Sequence, residues 1–258
     1  MTFHSKRISR TVRGIVTTVI LAVIVAYAIA VNAEPLLYPS DQVFTQHAAD
    51  QMARVAAESL GPVYGPLAEQ IVADYGLSNK RGIGIDIGSG PGNLIVELCK
   101  RTPMYWINAD INPHFFGMFM DFVEKAGLVG RVGAVFADVQ ALPFRDNYAD
   151  IITSRGSFQF WHDKKLAFSE IYRVLKPGGV AYIGRGFSRD LPPEIAREVR
   201  KLHAKAGKNG PPPYDVMETK KELIAVMNSL GIKNYSIQIP KPAGSEEIKY
   251  GIWLEIRK

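Results

Sequence analysis

A single cysteine, Cys99, in 258 residues excludes an internal disulfide and any cysteine-based metal cluster. Its place in an apolar helical run predicts a small buried or half-buried filler. The five histidines, at 4, 47, 114, 162 and 203, show no ligand spacing such as H-x-x-x-H, so no metal site is expected. No internal repeat or low-complexity segment interrupts the chain. Negative charge is missing from the first 32 residues, which hold Lys6, Arg7, Arg10 and Arg13. Setting those four cations aside reduces the formal charge of +6 to 27 basic against 25 acidic residues, so the remainder is close to neutral. Charge therefore makes no case for a nucleic-acid partner. With 47 % apolar content the chain can bury one good-sized core, which predicts one globular domain plus appendages.

Charge of either sign is missing from residues 14–32, which are mostly Ile, Val, Ala and Leu. A helix of about 19 residues is roughly 28 Å long, enough for a bilayer core. Two readings stay open. One is a single-pass transmembrane anchor after a basic flank over 1–13. The other is a cleaved signal peptide, since Val31-Asn32-Ala33 offers small residues where a signal peptidase cuts. The run exceeds the roughly 7–15 residues of a signal core, which favours the anchor. Cations before it, with Glu34 and Asp41 after it, predict the N-terminus inside and the domain outside.

Residues 33–80 read as a linker with Pro35 and Pro39 followed by two leading helices. One is expected from about Asp41 to Leu60 and one from about Pro66 to Tyr75, with a break at Gly61-Pro62. Then comes Gly82-Ile-Gly-Ile-Asp-Ile-Gly-Ser-Gly-Pro-Gly-Asn93. Ile83, Ile85 and Ile87 alternate with Gly84 and Asp86, the pattern of a short buried strand. Gly88, Gly90 and Gly92 end it, and from Asn93 the residues Leu94, Ile95, Val96 and Leu98 start a helix. Strand, glycine turn and helix bring backbone N–H groups and a helix N-terminus toward a polar ligand. A dinucleotide loop needs G-x-G-x-x-G, but here the third glycine comes one residue early and Asn93 occupies the last position. That spacing disfavours a nicotinamide dehydrogenase.

Strands are expected near 82–87, 104–109, 132–137, 148–154 and 179–185, and helices near 92–101, 113–126, 163–174 and 192–206. Such alternation predicts a parallel sheet covered on both faces. A helix near 218–230 and strands at 235–239 and 248–256 follow. Four features occur in order: Asp86 before G-x-G-x-G, Asp110 ending the second strand, Asp138-Val-Gln-Ala-Leu-Pro-Phe144, and Arg173-Val-Leu-Lys-Pro-Gly-Gly179. Together they resemble the class I S-adenosylmethionine-dependent methyltransferases of the small-molecule, quinone and sterol type. The resemblance covers about residues 60–258, with the domain proper at 81–258. It implies a Rossmann-like, doubly wound seven-stranded α/β sheet that closes in an antiparallel hairpin.

The same resemblance implies S-adenosylmethionine as cofactor. Asp86, Gly88, Ser89, Gly90 and Gly92 would hold it in the first motif, and Asp110 and Ile111 at the ribose. Asp138 would accept from the adenine amine, the Val139 N–H would meet a ring nitrogen, and Ser154 would close the set. A carboxylate at 110, 22 residues after Gly88, can accept from both vicinal ribose hydroxyls. Leu142 and Phe144 are expected to pack their loop, and Pro177 with the glycines to end a helix and turn into a strand. The leading helices either lie over the cofactor site or merely cover a sheet edge.

Transfer chemistry belongs at the end of the fourth strand, Ser154-Arg-Gly-Ser-Phe-Gln-Phe-Trp-His-Asp163, with Arg155, Gln159 and His162 as candidate catalytic residues. Quinone-type relatives commonly carry a small neutral residue and then a pair of histidines or similar here, a pattern from which this chain departs. Methyl transfer demands alignment above all, and a base only if the acceptor keeps its proton. His162 is either that base or, with Asp163, the capped start of the next helix. Arg155 near a sulfonium asks for an anion, so it meets either an anionic acceptor group or a neighbouring acid. Residues 186–214 read as a lid. Its helix carries Arg197, Arg200, Lys201, His203 and Lys205, either solvated or facing anionic lipid, and a Pro-Pro-Pro-Tyr214 connector follows.

The expectation is a membrane-tethered methyltransferase acting on a small or lipid-soluble acceptor. A non-catalytic S-adenosylmethionine-binding module at the membrane is the alternative. The cytosolic supply of that cofactor conflicts with the sidedness read from charge.

Overall fold

The structure, a computed structural model, describes residues 44–205, 215–241 and 250–258. The candidate anchor at 14–32, the expected helix start at Asp41 and the Pro-Pro-Pro-Tyr214 run lie outside the described residues. Among the described residues no helix is long and apolar enough to cross a membrane. The elements are α1 (Gln46–Arg54), a π-helical turn (Val55–Ser59), α2 (Gly61–Asp74), β1 (Ile83–Ile87), α3 (Asn93–Arg101), β2 (Tyr105–Asp110), α4 (Phe115–Lys125) and β3 (Val132–Phe136). They continue with β4 (Ala149–Arg155), a 3-10 turn (Phe158–Phe160), α5 (Lys164–Val174), β5 (Leu175–Gly186), α6 (Pro193–Lys205), α7 (Val216–Leu230), β6 (Tyr235–Gln238) and β7 (Gly251–Arg257).

The seven strands form one sheet in the order β3-β2-β1-β4-β5-β7-β6. The first five are mutually parallel, and β7 runs antiparallel to both β5 and β6. The expected doubly wound sheet with a closing hairpin is therefore present. Successive strand side chains point to opposite faces, and here the alternation sorts the residues by chemistry. Ile85, Ile87, Ile107, Ile152, Ile183 and Leu254 pack against Phe168 and Ile171 of α5 and Met227 of α7. Trp106, Ile151, Tyr182 and Trp253 pack instead with Leu67 and Ile71 of α2 and Leu94 and Leu98 of α3. Asp86 pairs in register with Asn108 and Thr153, which puts these polar groups on the second face, under α2 and α3.

The leading helices differ from expectation at their boundaries. Thr45 caps α1, its hydroxyl accepting from the Ala48 N–H at 3.1 Å. Gly61-Pro62 does not separate two helices but begins α2, with Pro62 in the first turn where a missing N–H removes no helical bond. Pro66 lies inside the helix. α2 is fastened at its other end by buried Gln70, which donates to the Tyr182 hydroxyl at 3.0 Å and accepts from the Arg189 N–H at 3.0 Å. α5 ends at Val174 as expected, but β5 starts earlier than the expected 179. Lys176-Pro-Gly-Gly179 already belongs to an irregular start of β5, where the register against β4 shifts between Ala149 and Ile151. A Cβ on Gly179 would sit 2.8 Å from the Lys176 carbonyl oxygen, so this bulge tolerates only glycine there.

Gly84 has a comparable constraint, because a Cβ at that position would overlap the buried Trp106 ring. Gly84→Ala is expected to destabilise the domain by about 1–3 kcal/mol through overpacking. A lower urea midpoint with an unchanged m-value checks this.

Candidate functional site

The sheet order reverses between β1 and β4, and the crevice outside their C-terminal ends is where open α/β sheets bind ligands. The glycine loop lies there. Gly88, Gly90 and Gly92 all have left-handed φ, at +62°, +57° and +81°. Beyond that shared conformation they do different work. A Cβ on Gly88 would overlap the Ser157 side chain, and one on Gly92 would overlap the Phe119 ring. Beside Gly90 the nearest atom to such a Cβ is Phe115 Cζ at 3.9 Å, leaving ordinary contact space.

The N–H groups of the three glycines are bonded within the protein. Gly88 donates to the Ala109 carbonyl at 2.8 Å, Gly90 to Asp110 Oδ2 at 2.8 Å and Gly92 to the Ser89 carbonyl at 3.1 Å. The glycines set the shape of the loop, and its own backbone uses their donors. The N-terminus of α3 has Gly92 as its cap residue and no side-chain cap.

Two carboxylates lie beneath the loop. Asp86 is 2 % exposed and accepts from the Thr153 hydroxyl at 2.7 Å. Burial pushes its pKa up to about 6, although Thr153, Ser89 and Arg155 offset part of the penalty. Asp110 is also buried, accepting from the Gly90 and Asn112 N–H groups at 2.8 Å each. Its pKa too is raised by burial, against the pull of those donors and the Ile111 N–H. Asn108 donates to the Gly90 carbonyl at 3.0 Å, tying β2 to the loop. Neither Asp86 nor Asp110 forms an ion pair within 4 Å among the described residues.

Asp138 and Val139 follow β3 and are both buried. Asp138 Oδ1 accepts from the Gln140 N–H at 2.8 Å. Leu142 is buried and Phe144 stacks on Tyr148 with centroids 5.5 Å apart, so both pack the loop as expected. Arg173, in the sequence simply part of a helix-to-strand connection, holds this loop in place. Its guanidinium donates to the Phe144 and Leu142 carbonyls at 2.8 and 3.1 Å, while Glu170 accepts from the Leu142 N–H at 2.9 Å.

At the end of β4 the three catalytic candidates separate. His162 is exposed, and Asp163 caps α5 by accepting from the Leu166 N–H at 2.9 Å, so the helix-start reading of this pair is the one the geometry supports. Gln159 turns back to donate to the Gly156 carbonyl at 2.6 Å. Arg155 meets neither of its expected partners, an acid or an anion. It makes no ion pair within 4 Å among the described residues, and its Cζ lies 5.2 Å from the ring centroid of Tyr64 on α2. Ser154 points to the opposite face of the sheet from Arg155. Tyr64, Thr153 and Asn108 were missed by sequence reasoning. Thr153 and Asn108 were recoverable from strand parity with Asp86, whereas nothing local marks Tyr64.

Ser154 Oγ, Arg155 Nε and Gln159 Oε1 are buried and lack a protein hydrogen-bond partner. Such groups are costly unless a ligand or water satisfies them. Two buried, unpaired carboxylates under an uncapped helix start suit a ligand that is cationic at one part and polar at another. A sulfonium and an ammonium on an adenosine frame meet that description, so the residues present fit S-adenosylmethionine.

Comparison with known proteins gives the class. A family model described as a methyltransferase domain matches residues 85–183. The ubiquinone/menaquinone biosynthesis C-methyltransferase UbiE of Vibrio vulnificus is 37 % identical over 97 residues, 37 % of this chain and 37 % of that protein. The chain thus spans little more than a third of the length of the curated relatives it matches. A structure from Methanococcus maripaludis, provisionally assigned as an S-adenosyl-L-methionine-dependent methyltransferase, is 31 % identical with a TM-score of 0.73, over 86 % of this chain and 97 % of its own. The SAM-dependent methyltransferase of Aquifex aeolicus shares the fold at 18 % identity and a TM-score of 0.54, over 83 % of this chain and 100 % of its own. The chain belongs to the class I S-adenosylmethionine-dependent methyltransferases. S-adenosylmethionine is its cofactor.

Asp86 titrates at about 6 in the folded protein against an ordinary 3.8, so between those values the folded state holds the extra proton and stability falls as pH rises. Asp86→Asn removes a cost on the order of 1–3 kcal/mol above pH 7. The cofactor-free variant is therefore expected to melt above the wild type at pH 8, with the gap closing near pH 4. Cofactor binding favours the ionised carboxylate, so wild-type affinity weakens below pH 6 and that dependence is lost in the variant. Thermal melts and calorimetric titration across pH check both. Asp110→Ala is expected to weaken S-adenosylmethionine by tenfold or more, about 1.4 kcal/mol, in the same titration.

Proposed function

We propose that this chain is a membrane-tethered methyltransferase that passes the methyl group of S-adenosylmethionine to a small, lipid-soluble acceptor. The observation that carries the acceptor class is the apolar rim after β4. Phe158 and Trp161 are buried there in edge-to-face contact at 6.4 Å, while Phe160 between them stays 48 % exposed. An exposed aromatic at the transfer edge suits a flat apolar substrate better than a charged one. The similarity to an enzyme of ubiquinone and menaquinone biosynthesis points the same way, toward a quinone-type ring carbon. The tether rests on the uncharged run at 14–32 and its basic flank.

The bound cofactor supplies an electrophilic methyl on a positively charged sulfur. This chain's residues supply binding, alignment and exclusion of water. Asp86, Ser89 and the Gly88–Gly92 loop hold the methionine side, Asp110 and Ile111 the ribose, and Asp138 and Val139 the adenine. Gln159, whose buried Oε1 has no protein partner, orients the acceptor. His162 is exposed and takes no part, so an acceptor that ionises readily, such as a hydroquinone, fits better than one needing a strong base.

Incubating the full chain in lipid vesicles with tritiated-methyl S-adenosylmethionine and either a demethylated menaquinol or water-soluble amines tests this reading. Label is expected in the lipid-soluble hydroquinone, and Phe160→Asp should lower kcat/KM for it about tenfold, roughly 1.4 kcal/mol, with cofactor affinity unchanged. Label only in the soluble amines would refute the acceptor class. Failure of the full chain to cosediment with vesicles would refute the tether.

A further inference from the structure

Arg155 and Asp86 stand on the same face of the sheet. Asp86 pairs in register with Thr153, and Arg155 lies two residues further along β4, so strand parity turns all three toward α2. The two charges are close enough for each to feel the other, yet they form no ion pair within 4 Å. The arginine Nε is buried without a partner. Above the guanidinium lies Tyr64, whose ring centroid is 5.2 Å from Cζ, and whose hydroxyl feels both Arg155 and Asp86. Burial keeps that phenol protonated, hence a hydrogen-bond donor. One site therefore holds a buried anion at the strand centre and, toward the sheet edge, a cation and a neutral donor, with nothing in the protein joining the two charges directly.

A ligand with the opposite arrangement of charge neutralises both, and an α-amino acid is such a ligand, since its ammonium and carboxylate share one carbon. We propose that Arg155 and Tyr64 form the subsite for the carboxylate at the amino-acid end of the cofactor, with Asp86 receiving its ammonium. The assignment makes Arg155 a cofactor-binding residue rather than a catalytic one. It also removes the electrostatic objection to an arginine near a sulfonium, because a carboxylate bound by Arg155 would offset the arginine's charge. Tyr64 gains a role that explains why α2 is fastened at Gln70 over this face: the helix carries a binding group to the sheet edge. The proposal depends on the methyltransferase reading of the site but not on the acceptor.

The test compares two ligands that differ at this end, S-adenosylhomocysteine and 5′-deoxy-5′-methylthioadenosine, which lacks the amino acid. Both are titrated calorimetrically into the full-length chain in detergent micelles. Arg155→Gln is expected to weaken S-adenosylhomocysteine by about tenfold or more and methylthioadenosine by less than about twofold, with Arg155→Lys recovering part of the loss. Tyr64→Phe, which keeps the ring, is expected to cost S-adenosylhomocysteine about two- to fivefold. Unchanged S-adenosylhomocysteine affinity in Arg155→Gln would overturn the proposal and return the arginine to the acceptor. Equal loss on both ligands would overturn it too, by making Arg155 a support of the site as a whole. Failure of the acceptor reading shows separately, as wild-type protein that binds both ligands and transfers no methyl group.

Discussion

The bond from the Thr153 hydroxyl to Asp86 joins the two strands between which the sheet reverses its order, and it holds an acid where water cannot reach it. A buried carboxylate is tolerated only with hydrogen bonds or a shifted pKa, and Asp86 has both. Its neighbourhood follows from that constraint. Gly84 admits Trp106, Leu94 and Leu98 close one side, and α2 closes the other, so the field of the acid is not screened. The folded state bears the cost at neutral pH, and a cationic ligand gains what the fold gives up.

Around this acid the site is fixed by bonds that local sequence does not display. Asp110 takes the Gly90 N–H and Asn108 takes the Gly90 carbonyl, so two residues of β2 clamp the glycine loop from both sides of one peptide segment. Beyond β3, Arg173 and Glu170 of α5 reach across to the carbonyls and N–H of the Leu142–Phe144 loop. These side chains are partly exposed at the guanidinium, so their value lies in geometry more than in Coulomb energy. Preorganisation of this kind is what methyl transfer needs, because its demand is alignment.

At the transfer edge itself the chain has an arginine over a tyrosine, a glutamine folded back on a glycine carbonyl, and aromatic side chains. His162 is exposed and lies apart from them.

Read alone, the sequence determined the alternation of strands and helices, the parallel sheet with its closing hairpin, the glycine loop and the acids at 86, 110 and 138. These are legible because period-two isoleucines, glycine spacing and caps act within a few residues of each other. It missed the start of α2, since Gly-Pro is both a breaker and a good first turn and only packing against α3 and β5 selects between them. It did not show the acceptors of the loop glycines' N–H groups, because Ala109 and Asp110 come from a strand about 20 residues away. Which charge faces which was decided only in three dimensions. Tyr64 reaches Arg155 across 91 positions of chain, and His162 and Arg155, seven apart, point to different surroundings. Side-chain direction at a strand end depends on which helix crosses above it, and that is a property of the packed layers, not of any short stretch of residues.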